Sequence, residues 1–416
     1  MVKPRVAVVG VHGHGTSHVR HCTDLHTTGR IHFAAVADPQ LAPPAKPGDA
    51  ARLSPPAEPG VGGAGPSPSP PAPGAAGGGR VTRVEDLPEG TQVFADLASL
   101  LAGAEVDVVV ISTPIHTHVP LAELALRAGA DVLLEKPPAA SLGEFGRLLQ
   151  VVAETGRACQ VGFQVHGSKA ARTMKEWVAD GRLGEVRGIG AVGTWIRTQE
   201  YWQRARWAGR RELDGVAVVD GAVTNAFAHA SATALLVDGS GAAEQVTSVE
   251  TELYRANPIE SDDTSSVRIR TTRGTTIVAA LTLAAEPPGA DPRIIVHGSR
   301  GRAVLTYPSD RLDLTVDGVT TGTTYERDDL LLNLIEHRED PGVELLAPLE
   351  QLGGFTKVLE AVRLSTPPHL IDPAYVTWQG EGQERHPVVA EVSKWAEQAA
   401  ENLALFSELN APWASQ

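Results

Sequence analysis

The chain has 416 residues, which is too long for a single small module and predicts two or three domains. Its 36 Lys and Arg against 50 Asp and Glu give a formal net charge of −14, which argues against a general nucleic-acid binder. Two cysteines are too few for a disulfide framework, and no run of about 18 apolar residues occurs, so we predict a cytoplasmic protein without membrane spans.

The first part of the chain alternates between strand and helix patterns. Residues 5–10 form a continuous apolar run that ends in glycine, which is typical of a strand buried on both faces. A βαβ series of this kind predicts a doubly wound parallel sheet, a Rossmann domain over residues 1–164, in the α/β class. Further strands are predicted at 31–37, 92–95, 106–112, 131–134 and 157–161, and helices at 96–104, 119–128 and 142–155.

A segment rich in proline and glycine interrupts this series at residues 39–80. It contains 12 Pro and 9 Gly among 42 residues and almost no aromatic or β-branched side chains. Such a composition cannot build a packed element. We therefore predict a disordered surface insertion within the first domain rather than a linker between domains.

Beyond residue 165 the pattern changes to consecutive strands. Strands that follow one another without intervening helices predict an open mixed or antiparallel sheet, and hence a second, α+β domain over residues 165–416. The strands are predicted at 185–198, 245–254, 265–272, 275–283, 293–297 and 302–307, and the helices at 168–180, 326–339, 352–364 and 388–409.

A glycine turn follows the first strand, at the place where open α/β sheets bind ligands. Gly10, Gly13 and Gly15 precede a helical pattern, so a pyrophosphate could bind at the exposed helix N-terminus. The spacing is imperfect, because His12 stands where G-x-G-x-x-G has its second glycine. The evidence for a pyrophosphate site therefore comes mainly from the predicted strand before the motif and the predicted helix after it.

Asp38 follows the second strand. A carboxylate there would accept hydrogen bonds from the ribose 2′-hydroxyl of an adenosine and would repel a 2′-phosphate, which favours NAD over NADP. The alternative interpretation is an aspartate that opens a turn before Pro39.

Polar residues also follow the later strands. Lys136 leaves a predicted buried strand toward the crevice, where burial and nearby cations can lower the pKa of a lysine. The alternative is a solvated loop lysine. The residues at these strand ends are Ser112, Thr113, Pro114 and His118 after the fourth strand, Glu135 and Lys136 after the fifth, and Gln164 after the sixth.

In order and spacing, these motifs resemble the Gfo/Idh/MocA oxidoreductases. The resemblance rests on the glycine turn with His18 behind it, Thr113-Pro114, Glu135-Lys136-Pro137 and Gly162-Phe163-Gln164. It implies a Rossmann domain for a nicotinamide cofactor and a C-terminal domain that binds substrate and mediates homo-oligomerisation through its sheet. The implied cofactor-binding residues are Gly10, His12, Gly13, Gly15, Asp38, Ser112, Thr113, Pro114, His118, Glu135, Lys136 and Gln164.

The family has a second motif, an Asp or Asn with a His four residues later on a helix that faces the nicotinamide. Asn225 and His229 have this spacing, which places both side chains on one helical face. The resemblance implies that Lys136 supplies positive charge near a developing alkoxide and that His229 acts as base, with Asn225 holding the substrate or the imidazole. Asp220 could partner His229 only if the helix bends or breaks. The alternative for His229 is a buried core histidine.

Residues 195–211 contain four Trp and Tyr residues, out of 7 Trp and 5 Tyr in the whole chain, together with five arginines. Aromatic faces and guanidinium groups suit a sugar ring that carries a carboxylate or phosphate, and an interface or surface loop packed by tryptophans is the equal alternative. We predict substrate contacts from Tyr201, Trp202, Trp207, Arg210 and Asn225. No metal is predicted, because no further ligands complete the two His-x-His pairs.

The sequence thus predicts an NAD-dependent dehydrogenase or reductase that acts on a hydroxyl-bearing carbon of a sugar, polyol or sugar derivative. Its partners would be that small substrate and further copies of the chain, with no nucleic acid or membrane. Two alternatives stay open: a redox-neutral NAD-dependent epimerase or glycosidase, and a non-catalytic NAD-sensing regulator.

Overall fold

The computed structural model of the protein describes residues 3–41 and 82–414. The predicted insertion at 39–80 therefore lies outside the described residues, apart from residues 39–41. Among the helices in the described ranges, none has the length and hydrophobicity that crossing a membrane requires.

Six parallel strands form the first sheet in the order β3-β2-β1-β4-β5-β6, which confirms the predicted Rossmann topology. The order reverses between β1 and β4, and such a reversal opens a ligand crevice at the carboxyl ends of the strands. The strands are β1 (Arg5–Val9), β2 (His32–Ala37), β3 (Gln92–Phe94), β4 (Val108–Ile111), β5 (Asp131–Leu134) and β6 (Cys159–Val161).

In the described ranges, four α-helices connect these strands, and local capping fixes where several of them begin and end. The Ser141 hydroxyl accepts a hydrogen bond from the backbone N–H of Glu144 and starts α4, and Gly156 ends it in a left-handed conformation. The Asp96 side chain caps α2 in the same way. The helices are α1 (Gly15–Thr27), α2 (Leu97–Gly103), α3 (His118–Arg127) and α4 (Leu142–Thr155).

A nine-stranded mixed sheet forms most of the second half, as predicted. Its order is β16-β15-β14-β13-β7-β12-β11-β10-β17, with β7 parallel to β12 and antiparallel to β13. The strands are β7 (Val186–Thr194), β10 (Val246–Arg255), β11 (Thr264–Thr271), β12 (Thr276–Thr282), β13 (Ala290–Gly298), β14 (Gly301–Thr306), β15 (Arg311–Val316), β16 (Val319–Thr324) and β17 (His369–Leu370). Two small hairpins pair β8 (Glu212–Leu213) with β9 (Val216–Ala217), and β18 (Val376–Gln379) with β19 (His386–Val389).

The chain covers both faces of the central strands of this sheet. On one face lie α5 (Lys169–Ala179), α7 (Ala228–Asp238) and α9 (Gly353–Leu364), and on the other lies α10 (Val392–Asn402). Ion pairs from Arg293 to Glu397 and from Arg302 to Glu401 fix α10 to β13 and β14. Oligomerisation through the sheet stays a prediction, and the face under α10 is already occupied by the chain itself.

Two predicted elements differ clearly from the structure in their bounds. The strand predicted at 185–198 ends at Thr194. The helix predicted at 388–409 is wrong at both ends, because Val388 and Val389 pair with β18 and α10 spans only Val392–Asn402. The sequence pattern predicts neither β15 nor the edge strand β16, and the exposed, threonine-rich β16 has no apolar face that would indicate a strand.

One helix of the second half packs against the first sheet. α8 (Leu330–Glu339) buries Leu334 against the core under β1 and β4, and Arg338 forms ion pairs with Asp131 and Asp107. The Gln160 amide of β6 donates to the Leu330 carbonyl at 2.5 Å. The division of the chain at residue 164 stays a prediction, and residues 330–347 contribute a layer to the N-terminal sheet.

Candidate active site

The glycine turn after β1 packs tightly against the loop after β4. Gly10 has a φ of 79°, and a Cβ on Gly10 would overlap the Ser112 carbonyl, while a Cβ on Gly15 would overlap the Gly10 carbonyl. No heavy atom lies within 4 Å of the position that a Cβ on Gly13 would take. The turn therefore keeps open space in front of the N-terminus of α1, which fits a pyrophosphate.

Asp38 lies next to this turn at the end of β2 and is buried. Its carboxylate accepts hydrogen bonds from the backbone N–H groups of Val11, at 3.1 Å, and Gln40, at 2.9 Å. His12 Nε2 lies 3.7 Å from the same carboxylate. Asp38 thus opens a turn and also stands at the position from which it could contact an adenosine ribose.

His118 joins the loops that follow β4 and β5. Its ring nitrogens lie 2.8 Å from the carbonyl oxygens of Pro137 and Thr113, and burial lowers its pKa. The Thr117 hydroxyl donates to the Thr113 hydroxyl at 2.7 Å. These contacts bury the His118 ring between the two loops, where it supports the backbone at Thr113 and Pro114.

Glu135 is a buried carboxylate with two histidine partners. His18 Nε2 lies 2.8 Å and His14 Nε2 lies 3.3 Å from Glu135 Oε1, and the Gln164 amide donates to the same oxygen at 3.3 Å. Burial alone would raise the pKa of Glu135, but the hydrogen bonds with His14 and His18 hold it well below its usual range. The hydrogen bond to Glu135 in turn raises the pKa of His14.

The same three residues, His14, His18 and Glu135, have ligand atoms within 4.8 Å of one another, close enough to hold a divalent cation. Two imidazoles can also stabilise a buried carboxylate oxygen by hydrogen bonds without a metal. We assign the cluster this second role. It ties α1 to the end of β5 and fixes the backbone next to Lys136.

Lys136 reaches from the end of β5 to the second half of the chain. Its Nζ donates to Asn225 Oδ1 at 2.7 Å and to the Asn225 carbonyl at 3.0 Å. Burial lowers the pKa of Lys136, with Arg204 and Arg197 acting in the same direction and Glu135 and Asp220 opposing them. The loop-lysine alternative is therefore wrong for this residue.

Asn225 and His229 do not share one helix, so the prediction of a common helical face is wrong. Asn225 lies in a π-helical turn, Ala222–Ala226, and α7 begins at Ala228, with non-helical backbone at Phe227 between them. Asn225 holds Lys136 rather than the imidazole. π-Helical turns are rare and occur often at functional sites.

The His229 ring packs edge-on against Phe163, with 5.4 Å between ring centroids. Its Nδ1 is buried without a hydrogen-bond partner in the described part of the chain. Burial, followed by the charge of Lys136, lowers the pKa of His229 to about 3. The imidazole is therefore neutral at physiological pH.

Asp220 and Arg204 complete this network, and neither was among the predicted site residues. Asp220 accepts hydrogen bonds from the Asn225 amide and the Gly209 N–H, and Arg204 donates to both of its oxygens, at 2.8 and 3.1 Å. Asp220 therefore orients Asn225 and does not partner His229. The neighbouring sequence contains a signal for Asp220, because a cluster of arginines such as that in residues 195–211 requires carboxylate partners.

The predicted substrate residues separate into two groups. Tyr201, in α6 (Gln199–Gln203), and Trp207 stack on Arg204, with their ring centroids 3.8 and 4.6 Å from its guanidinium carbon. Trp202 is buried in the core, and Arg210 is exposed with Glu260 at 3.6 Å. Tyr201 and Trp207 thus contact Arg204, which is linked to Asn225 through Asp220, whereas Trp202 and Arg210 lie outside this network.

Two family models match this chain. Residues 80–163 match the NAD-binding Rossmann fold of the GFO_IDH_MocA oxidoreductases, and residues 171–304 match the C-terminal domain of the same family. Together they cover just over half of the sequence. The chain belongs to the Gfo/Idh/MocA family. Membership confirms the resemblance and the nicotinamide-binding fold that it implied, and it makes the protein a member of an oxidoreductase family.

Relatives of known function align only in part. The chain is 36% identical over 96 residues to dTDP-3,4-didehydro-2,6-dideoxy-alpha-D-glucose 3-reductase of Streptomyces violaceoruber and 35% identical over 88 residues to inositol 2-dehydrogenase of Rhizobium meliloti. These alignments span 23% and 21% of this chain, and 28% and 27% of the relatives.

A solved structure covers far more of the chain. The WlbA dehydrogenase of Bordetella pertussis, solved with NADH and UDP-GlcNAcA, covers 86% of this chain and 95% of its own, with a TM-score of 0.63 at 20% identity. At this identity the likeness establishes the two-sheet fold.

Proposed function

We propose that the protein is an NAD-dependent dehydrogenase or reductase whose substrate is a sugar, a polyol or a sugar derivative with a reactive hydroxyl-bearing carbon. The observation that carries this proposal is the position of Lys136. It leaves the carboxyl end of β5 beside the glycine turn and is held by Asn225 of the opposite half of the chain. The neutral His229 follows in α7.

The described residues fit a nicotinamide dinucleotide along the carboxyl edge of the first sheet. The glycine turn and the N-terminus of α1 would hold the pyrophosphate, and Asp38 would hold the adenosine ribose. When bound, the nicotinamide would accept a hydride from the substrate carbon or return one to it. Ser112 and Thr113 would line the cofactor where β4 ends, with Glu135 and Gln164 behind it.

The chain's own residues would manage the substrate proton. His229 would take the hydroxyl proton at Nδ1, which has no hydrogen-bond partner among the described residues. The ammonium of Lys136 would stabilise the negative charge that develops on the substrate oxygen. Asn225 would position Lys136, because both of its oxygens accept from the same Nζ.

The test is NAD reduction by the purified protein with a panel of sugars, inositols, uronic acids and glycosides. We expect Lys136→Met and His229→Ala each to lower turnover by about 10²- to 10⁴-fold, the usual size of one acid-base contribution. Wild-type rates in both variants would overturn the proposal. Copurifying cofactor with product formation but no net reduction would identify a redox-neutral enzyme instead.

We further propose that NAD is preferred to NADP. The support is the buried carboxylate of Asp38 next to the glycine turn, where it would repel a 2′-phosphate. Fluorescence titration with NADH and NADPH tests this preference. Tighter binding of NADPH would remove Asp38 from the proposed role.

A further inference from the structure

Arg197 is held firmly in place beside the proposed active site. Its backbone N–H donates to the Leu283 carbonyl at 3.0 Å, which continues the pairing of β7 with β12 beyond the last strand residue. Its guanidinium carbon lies 4.8 Å from the ring centroid of Trp195 and 4.9 Å from that of Tyr201. Two aromatic contacts therefore restrain the guanidinium.

The other arginines of residues 195–211 all have partners. Arg204, Arg206 and Arg210 pair with carboxylates, and Arg211 donates to four backbone carbonyls between residues 362 and 366. Arg197 donates to the Ile196 carbonyl, at 3.1 Å, and forms a side-chain hydrogen bond with Tyr201, but within residues 3–41 and 82–414 no carboxylate pairs with it. Its Nε is buried without a hydrogen-bond partner in the same ranges.

The surrounding charges leave Arg197 uncompensated. Both Arg197 and Arg204 act on Lys136 and lower its pKa, after burial, so three cations share one region. Of the two nearby carboxylates, Asp220 is already bound by Arg204, and Glu135 is bound by His14 and His18. A half-buried cation without a counter-charge is costly, and an anionic ligand would remove that cost.

We propose that Arg197 forms a carboxylate subsite beside Lys136, so that the substrate is a sugar acid rather than a neutral sugar. This inference rests on the proposed function and names its substrate class. A planar guanidinium can bind a carboxylate through two parallel N–H groups, and the Trp195 and Tyr201 rings hold the guanidinium of Arg197 in place. The subsite selects acids because a neutral analogue would leave the guanidinium unpaired.

Matched substrate pairs test the selection: D-glucuronate with D-glucose, and D-gluconate with D-glucitol. We expect Arg197→Met to lower kcat/KM for an acid substrate by at least about 30-fold, the lower end of the cost of truncating a buried charge pair. Activity with the neutral member of each pair should change little. Arg197→Lys keeps the charge but loses the planar edge, and we expect an intermediate loss.

Arg206→Met is the matched control, because Arg206 is exposed in the same segment and its one ion-pair partner among the described residues is the exposed Asp214. It should keep wild-type rates. Thermal melting of each variant shows whether it folds. Equal losses for acid and neutral substrates in a folded Arg197→Met variant would overturn the proposal.

Binding separates this inference from the proposed function. Trp195 contacts Arg197, so acids that bind the NAD-loaded protein should quench tryptophan fluorescence more strongly than their neutral partners, and Arg197→Met should abolish the difference. Selective acid binding without turnover would support the subsite and overturn the proposed function. Turnover of neutral sugars without selective acid binding would overturn the subsite alone, and so would a failure of all the acids to bind.

Discussion

Two regions of this protein contribute to the same candidate site by different means. The glycine turn at residues 10–15 uses backbone: its shape depends on missing Cβ atoms and on the N-terminus of α1. The region from β7 to α7 contributes side chains. In it, Arg204, Asp220 and Asn225 form a chain of hydrogen bonds that ends at Lys136, which follows β5. The cofactor cradle thus depends on the absence of side chains, whereas the substrate side depends on side chains that hydrogen-bond to one another.

The largest expected effect tests the side-chain network. Asp220 is 1% exposed and Arg204 13% exposed at their side chains. Asp220→Asn keeps the shape but leaves a buried arginine without its counter-charge, so we expect a loss of about 3 kcal/mol in the free energy of unfolding, measured by chemical denaturation.

The control for this variant is Asp214→Asn. Its partner Arg206 is 79% exposed and Asp214 is 72% exposed, so the stability should not change measurably. Equal stability of Asp220→Asn and wild type would show that the network does not hold this region together.

The next effect tests the backbone-built region. An added Cβ in Gly15→Ala would overlap the Gly10 carbonyl and must shift the turn. Since a misplacement of about 1 Å can cost about 10²-fold, we expect a loss of that order in kcat/KM for NAD. Gly146→Ala in α4 is the control, because nothing lies within 4 Å of the added Cβ. Unchanged kinetics in Gly15→Ala would contradict the proposed cradle.

A smaller effect concerns the adenosine end of the cradle. Asp38→Asn keeps a side chain of the same shape beside Val11 and Gln40 but removes the negative charge. We expect the ratio of NADH to NADPH affinities to fall by about tenfold, because the repulsion of a 2′-phosphate is lost. An unchanged ratio in fluorescence titrations would assign Asp38 to the turn alone.

The smallest effect is a shift in the pH dependence of kcat/KM. Burial lowers the pKa of Lys136 below 10.5, so activity should fall as the pH rises through a value below 10.5, where the ammonium loses its charge. The pKa of about 3 for His229 keeps its ring neutral, so it should contribute no acid limb between pH 5 and 8. In Asn225→Ala the ammonium loses the Oδ1 acceptor, and the alkaline limb should move to lower pH. An alkaline limb that is unchanged in this variant would contradict the link between Asn225 and Lys136.

The first half of the chain was the more predictable one. Its buried β-branched strands, the glycine turn and the Lys136 triplet are local patterns, and the six parallel strands were found where those patterns lie. The exposed strand β16 escaped prediction because its threonines have no buried face. The local sequence pattern predicts a helix at Val388 and Val389, because it gives no indication of their strand partner, β18.

The resemblance carried by the motifs predicts the family and marks Lys136, Asn225 and His229 as candidate site residues, and the short-range periodicity of the apolar residues predicts the parallel sheet. How the site residues are arranged depends on tertiary contacts. The spacing of Asn225 and His229 predicts one helical face, but the π-helical turn separates them and gives Asn225 to Lys136. Asn225 takes this position because the buried carboxylate of Asp220 accepts hydrogen bonds from Asn225, Gly209 and Arg204 at once. These three donors come together only in the folded chain.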